Sequence, residues 1–210
     1  MKDLVIIGAG GMGREIYYHA KECNGYQTEY RIKGFIDDNI HSLDGFNDFP
    51  EVLDTVDHYN ICANDVFVTS IGSVKSKKLC IEKILHKGGT FISLIHPTAR
   101  IAPDARLGTG VIIMRRVDVG SYTHVGNYSF IQADAVIGHD AEVGDFCRID
   151  CKVVCVGGVK VEEAAIIHTS AVISHGVTVG KRAIVGALSL VIRNVKDDTT
   201  VVGNPALRLR

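Results

Sequence analysis

His139-Asp140 sets an imidazole beside a carboxylate, and Gly8-x-Gly10-x-x-Gly13 spaces glycines between an apolar run and an amphipathic stretch. A histidine whose ring is held by a carboxylate can take a proton from a nucleophile near neutral pH. Neighbouring side chains of a straight strand point to opposite faces, so the pair can cooperate only at a corner. Otherwise it is two solvated polar residues. Glycines at Gly8, Gly10, Gly11 and Gly13 let the backbone approach a phosphate, and a following helix N-terminus supplies aligned N–H donors. Asp37 and Asp38 close the next apolar run, where an acidic residue often bonds a ribose or base. The loop suits a nucleoside diphosphate. NAD would use the same donors, but the domain is short for a full dinucleotide fold, and a purely structural turn is the third reading.

Two kinds of chain position these residues. Residues 1–94 alternate β and α signals: strands at Leu4–Ile7, Arg31–Ile36, Val66–Ile71 and Thr90–Ile95, and helices at Arg14–Cys23 and Lys75–His86. This predicts a small Rossmann-like α/β domain with a parallel sheet. From Ile95 to Val191 every sixth residue is aliphatic or, once, cysteine, and a small or β-branched residue follows four positions later. No α-helix has a period of six; a β-solenoid does. Three hexapeptides make a triangular coil of eighteen residues. Ser121, His139, Gly157 and His175 then stack in one column, and Gln132, Asp150, His168 and Gly186 in another. The phase is unbroken, so no long loop leaves the coils, and residues 95–210 form the second domain.

Composition narrows the classes. The formal net charge is −1, without the basic stripe a nucleic-acid binder needs. No apolar stretch reaches the length of a membrane span. Residues 1–13 lack a signal-peptide pattern and are read as structure, with cytoplasmic residence as the default. Of the six cysteines, Cys147 and Cys155 fall on inward positions of the repeat and are read as reduced, buried small hydrophobes.

Taken in order, the glycine loop, Phe35-Ile36-Asp37-Asp38, Ile71-Gly72, Leu94-Ile95-His96-Pro97, the coils and the ending Val202-Gly203-Asn204-Pro205-Ala206 resemble the hexapeptide-repeat sugar acetyltransferases of the sialic acid O-acetyltransferase (NeuD) type. Within them the chain is most similar to the PglD-like UDP-4-amino-sugar N-acetyltransferases. The resemblance implies a left-handed parallel β-helix and a homotrimer, with acetyl-CoA as co-substrate in the cleft between neighbouring solenoids. It implies acetyl transfer to the amine of a nucleotide-linked amino sugar, used for surface glycans. The alternatives are O-acetylation of sialic acid or another sugar, and a non-catalytic trimeric scaffold that binds nucleotide sugars. By position, His139 matches the catalytic base, Asp140 the acid that orients it, and Gly157 the glycine whose N–H lies near the acetyl carbonyl. Gly8, Gly10, Gly11 and Gly13 match the diphosphate loop, and Asp37 and Asp38 the uridine side. Met12 stands where the family usually has histidine. Arg148 stands where relatives often have a second histidine, and is read as a contact to a phosphate or to the active centre. The gamma carbonic anhydrases, solenoids of the same repeat, hold zinc through three histidines; their third position is Gly180 here, so no metal is expected.

Overall fold

An uninterrupted apolar run needs cover on both faces, and Leu4–Ile7 has it: all four side chains are fully buried in β1 (Lys2–Ile7). The computed structural model describes residues 1–209. The chain divides into two units, Met1–Leu94 and Ile95–Arg210. In the first, β1 is central in a parallel sheet with β2 (Tyr30–Ile36), β3 (Val52–Asp54), β4 (Asp65–Thr69) and β5 (Thr90–Phe91), in the order β3-β2-β1-β4-β5. Helix α1 (Gly11–Glu22) follows β1, and α2 (Val74–His86) follows β4. The chain passes from β1 to one side of the sheet and later returns to the other. The C-terminal ends of β1, β2 and β4 therefore surround a switch point, where such sheets leave a crevice.

Three details depart from the sequence expectation. Helix α1 begins at Gly11 rather than Arg14, because the glycines that weaken the helical signal are nevertheless inside its first turn. The edge strand β3 is only three residues long and half-buried, too short to show an alternation. The expected strand Thr90–Ile95 is two strands: Thr90–Phe91 joins this sheet, and Leu94–Ile95 opens one of the solenoid.

The six-residue repeat folds as a left-handed parallel β-helix. Its strands are two residues long and pair in parallel with those eighteen residues away, as Val119 does with Ile101 and Ile137. Three sheets result. The first holds the strands starting at Arg100, Asp118, Val136, Val154, Val172 and Leu190; the second those at Arg106, His124, Glu142, Lys160 and Thr178. The third runs from Leu94–Ile95 through Ile112, Phe130, Arg148, Ile166 and Ile184 to Thr200–Val202, closed by antiparallel Leu207–Arg208. Inward aliphatics stack in continuous buried columns. Cys147 and Cys155 belong to them, and burial pushes both thiols up to about 12, so they pack as protonated small groups. In the last coil Val195 pairs with Val179, and Ile184 with Thr200, which makes that coil two residues shorter than the others.

The corners carry an unexpected regularity. Every sixth residue from Gly110 to Leu188 has a positive φ, and most are not glycine: Tyr122, Asp140, Phe146 and Leu188 are examples. That conformation costs roughly 1–2 kcal/mol for a residue with a Cβ. A corner hydrogen bond offsets it. From Tyr128 on, each such N–H donates to the carbonyl nineteen residues back, as Asp140 to Ser121 at 2.8 Å and Lys152 to Ala133 at 3.0 Å, whereas Arg116 and Tyr122 donate to the Thr98 hydroxyl and the Asp104 carboxylate.

In the first unit one buried cluster fixes the sheet to its loops. The Asp65 side chain has no exposed surface. It accepts from Lys33 Nζ at 2.8 Å, Tyr59 Oη at 2.7 Å and the Cys62 N–H at 2.8 Å. Burial alone would raise its carboxyl, but the Lys33 ammonium and the other donors outweigh burial and hold it below the usual carboxylate range. A carboxyl so lowered contributes stability that is full above the ordinary carboxylate value and lost as pH falls through its own lower one. Asp65→Asn removes the countercharge of Lys33. It should cost roughly 2–3 kcal/mol in urea unfolding at neutral pH and flatten the acid limb of the stability curve. An unchanged midpoint with the same acid dependence would contradict this account.

Candidate active site

The corner after Ile137 carries Gly138, His139 and Asp140. Because Asp140 takes φ +55°, its side chain does not leave by the opposite face as it would in a strand. Its Oδ2 meets His139 Nδ1 at 2.6 Å, so the adjacent pair does cooperate. A carboxylate accepting from Nδ1–H leaves the lone pair of the neutral ring on Nε2. The two side chains are 64% and 63% exposed, and the Nε2 makes no hydrogen bond within the described residues. One coil further, Gly157 lies against the ring: a Cβ there would stand 2.5 Å from His139 Nε2. The Gly157 N–H has no acceptor among the described residues, whereas the next N–H, that of Gly158, donates to the His139 carbonyl at 2.8 Å. A free imidazole nitrogen and a free backbone donor therefore share one corner. Gly138 lets the corners close up, since its Cβ would fall 2.6 Å from the Gly157 nitrogen.

The glycine loop sits at the switch point of the first sheet. Gly8 takes φ +99°, which a side chain disfavours, and Ser70 Oγ lies within 2.9 Å of both the Ile7 and Gly8 carbonyls. Gly13 brings the helix onto the Gly8 carbonyl, leaving no room for a Cβ. Gly10 faces open space, and Gly11 has only the Arg14 guanidinium near its Cβ position. Helix α1 has no side-chain cap and no acidic residue in its first turn, so its leading N–H groups can meet an anion. The Arg14 guanidinium lies 4.0 Å over the Phe46 ring. The two aspartates are partly engaged. Asp37 accepts from the Ala9 N–H at 2.7 Å and the Asn39 N–H at 2.8 Å, tying the loop to the end of β2. Asp38 is exposed, and one of its oxygens accepts from the Val56 N–H at 3.2 Å.

Arg148 is not beside His139. It lies on the third sheet, whereas His139 stands at the corner between the first two, on the far side of the coil. Its guanidinium grips Asp150 through Nε at 2.6 Å and Nη2 at 3.0 Å. Asp150 also accepts from Gln132 Nε2 at 2.7 Å and meets His168 Nδ1 at 2.9 Å. The sequence shows Gln132, Asp150 and His168 as one column, but its chemistry was not legible there; the signal is a polar residue repeated at eighteen where neighbouring columns often carry glycine. His124 and His175 are exposed. Among the described residues no three His, Cys, Asp or Glu groups are placed to hold a metal ion. A cavity of about 890 Å³ lies over the second sheet at Arg106, His124, Glu142 and Lys160, away from His139.

Comparison with known proteins bears on both units. Residues 3–84 match the PglD N-terminal domain. The chain is 29% identical to the GDP-perosamine N-acetyltransferase of Escherichia coli, over 98% of this chain and 95% of that protein. Among solved structures, a mutant perosamine N-acetyltransferase from Caulobacter crescentus, in complex with CoA and GDP-perosamine, superposes with TM-score 0.90 at 26% identity, covering 100% of this chain and 98% of that one. The acetyltransferase domain of PglB from Neisseria gonorrhoeae, in complex with acetyl coenzyme A, does so with TM-score 0.90 at 26% identity, covering 99% of each. No helix among the described residues is long and apolar enough to cross a membrane.

The two corner glycines should respond differently to a methyl group. Gly157→Ala meets only the mobile end of His139, so the ring should swing off Asp140 while unfolding changes by less than about 1 kcal/mol. Gly138→Ala meets backbone and should cost about 1–3 kcal/mol. Crystal structures and thermal unfolding of both variants check this; an unmoved ring in the first, or equal costs in the two, would refute it.

Proposed function

We infer the function from one premise: the chain is a PglD-like hexapeptide-repeat sugar acetyltransferase. It transfers the acetyl group of acetyl-CoA to the amine of a nucleotide-linked amino sugar. The observation that carries this reading is the His139 corner: a ring fixed by Asp140 at 2.6 Å, with Nε2 free beside the free N–H of Gly157. It occurs in a chain that matches a GDP-perosamine N-acetyltransferase over nearly its full length.

The chemistry follows from those atoms. The acceptor amine attacks the thioester carbonyl, forming the C–N bond. His139 Nε2 takes the proton the nitrogen loses, and Asp140 steadies the imidazolium. The Gly157 N–H donates to the carbonyl oxygen as it gains charge. Collapse breaks the C–S bond, and His139 returns the proton to the departing CoA thiolate. No acetyl-enzyme is required, which agrees with the buried, protonated state of Cys147 and Cys155.

The same reading assigns the first unit to the acceptor. Residues 1–94 bind the nucleotide sugar, with Gly10, Gly11 and the free N–H groups of α1 on the diphosphate. Gly8 and Gly13 shape the loop. Asp37 acts through the loop, since both its oxygens are occupied by backbone N–H groups, while Asp38 keeps an oxygen for the ribose or base. Residues 95–210 form the acyltransferase domain. The exposure of His139 fits a site closed by a neighbouring copy, so the enzyme is read as a cytoplasmic homotrimer with acetyl-CoA between solenoids. His139→Ala should lower kcat by about 10²-fold or more with assembly intact. A near-wild-type rate in that variant would remove His139 from the reaction.

A further inference from the structure

Arg14 is a cation in the wrong place for its own helix. Helix α1 begins at Gly11, so Arg14 stands in its first turn, where the dipole favours acidic side chains and disfavours a positive charge. No carboxylate answers it. Among the described residues the Arg14 side chain has no ion pair and no hydrogen bond, and its one interacting partner is the Phe46 ring, 4.0 Å from the guanidinium carbon to the ring centre. The two acidic residues at the end of β2 are engaged elsewhere: Asp37 by the Ala9 and Asn39 N–H groups, Asp38 by the N–H of Val56.

The guanidinium is nevertheless placed from two sides. Helical side chains lean toward the N-terminus of their helix. Arg14 leans over Gly11 in this way: its Nη2 lies 3.9 Å from where a Cβ of Gly11 would stand, with nothing else near. The loop between β2 and β3 supplies the other side. There Phe49 meets the Phe46 ring at 6.4 Å and 73°, and packs in turn against Tyr17 of α1. Phe46 is thus braced by the helix that carries Arg14. None of the five N–H donors of the guanidinium is used. A braced cation without a countercharge, beside the uncapped N–H groups of α1, is arranged for an anion that the chain does not supply.

We propose that Arg14, braced by Phe46, is a specificity-determining residue of the acceptor site: it binds the second phosphoryl group of a nucleoside diphosphate, while the leading N–H groups of α1 bind the first. This rests on the reading of the glycine loop as the site of the nucleotide sugar. Residues 8–13 hold no charged side chain, so Arg14 is the one cation that the loop and first turn supply. A guanidinium meets two oxygens of a phosphoryl group at once. Two donor sets side by side, one backbone and one guanidinium, match two linked phosphoryl groups. The acceptor class follows. A sugar carried on a nucleoside diphosphate fills both sets, whereas a sugar on a nucleoside monophosphate, or a free sugar, leaves Arg14 unanswered.

Titration calorimetry of the intact protein with UDP, UMP, GDP and GMP tests this. The wild-type protein should bind one diphosphate about tenfold or more tightly than its monophosphate. Arg14→Ala should bring the two to near equality by weakening the diphosphate, with the monophosphate little changed. Phe46→Leu, which keeps the charge and removes the brace, should lose part of the preference. Arg14→Lys, which keeps the charge without the two-oxygen geometry, should fall between wild type and Arg14→Ala, and carries the test if Arg14→Ala fails to fold. A folding defect weakens both ligands together and does not give this pattern. A preference kept in full by Arg14→Ala or Arg14→Lys, or an equal weakening of both ligands with an unchanged unfolding midpoint, overturns the proposal. No binding of either diphosphate by the wild-type protein instead overturns the underlying reading of the loop.

Discussion

The hydrogen-bond ladder between coils governs this solenoid, and it does not stop at the strands. Each two-residue strand is bonded to the strands eighteen residues away, and from Tyr128 on each corner adds a bond from the positive-φ residue to a carbonyl nineteen residues back. A two-residue strand has little pairing energy of its own. Continuity around the corner lets eighteen residues behave as one turn, and it holds Tyr128, Phe146 and Leu188 in a conformation that their side chains disfavour. The catalytic proposal depends on the same bond. Asp140 N–H donates to the Ser121 carbonyl at 2.8 Å, which sets φ at Asp140 and turns its carboxylate back onto His139. The pair is thus oriented by the coil below it.

Glycine is used here mainly for close approach. Gly138 lets the next corner pass, and Gly157 makes room for the His139 ring. In the first unit Gly13 admits the Gly8 carbonyl, while Gly10 and Gly11 leave space in front of an uncapped helix end. The two units thus leave room in the same way, one beside an imidazole and the other beside a row of N–H donors.

Much of this was legible in the sequence, for physical reasons that also mark where legibility ends. The period of six gives the solenoid because inward packing tolerates no phase slip from Ile95 to Val191. It does not give the shorter last coil, where Val195 takes the place of a strand residue beside Val179. His139 and Asp140 could be picked out as a pair, but their cooperation rests on a φ value that aspartate does not itself prefer. Asp37 could be placed at the end of a strand, yet only the fold shows that its oxygens turn to Ala9 and Asn39. Arg148 and Asp150 are two residues apart, one on a strand and one at a corner, and the grip between them depends on the bend. The short strand Val52–Asp54 carries no periodic signal because three residues cannot show one.

The central claim is acetyl transfer from acetyl-CoA to the amine of a nucleotide-linked sugar, and free thiol released from acetyl-CoA tests it most directly. The assay runs the intact protein with UDP- and GDP-linked 4-amino sugars, with free sialic acid, and with no acceptor. Release that depends on one amino sugar, with a single acetyl group found as an amide in the product, is the predicted result. Release with sialic acid alone, or none with any amino sugar, would contradict it.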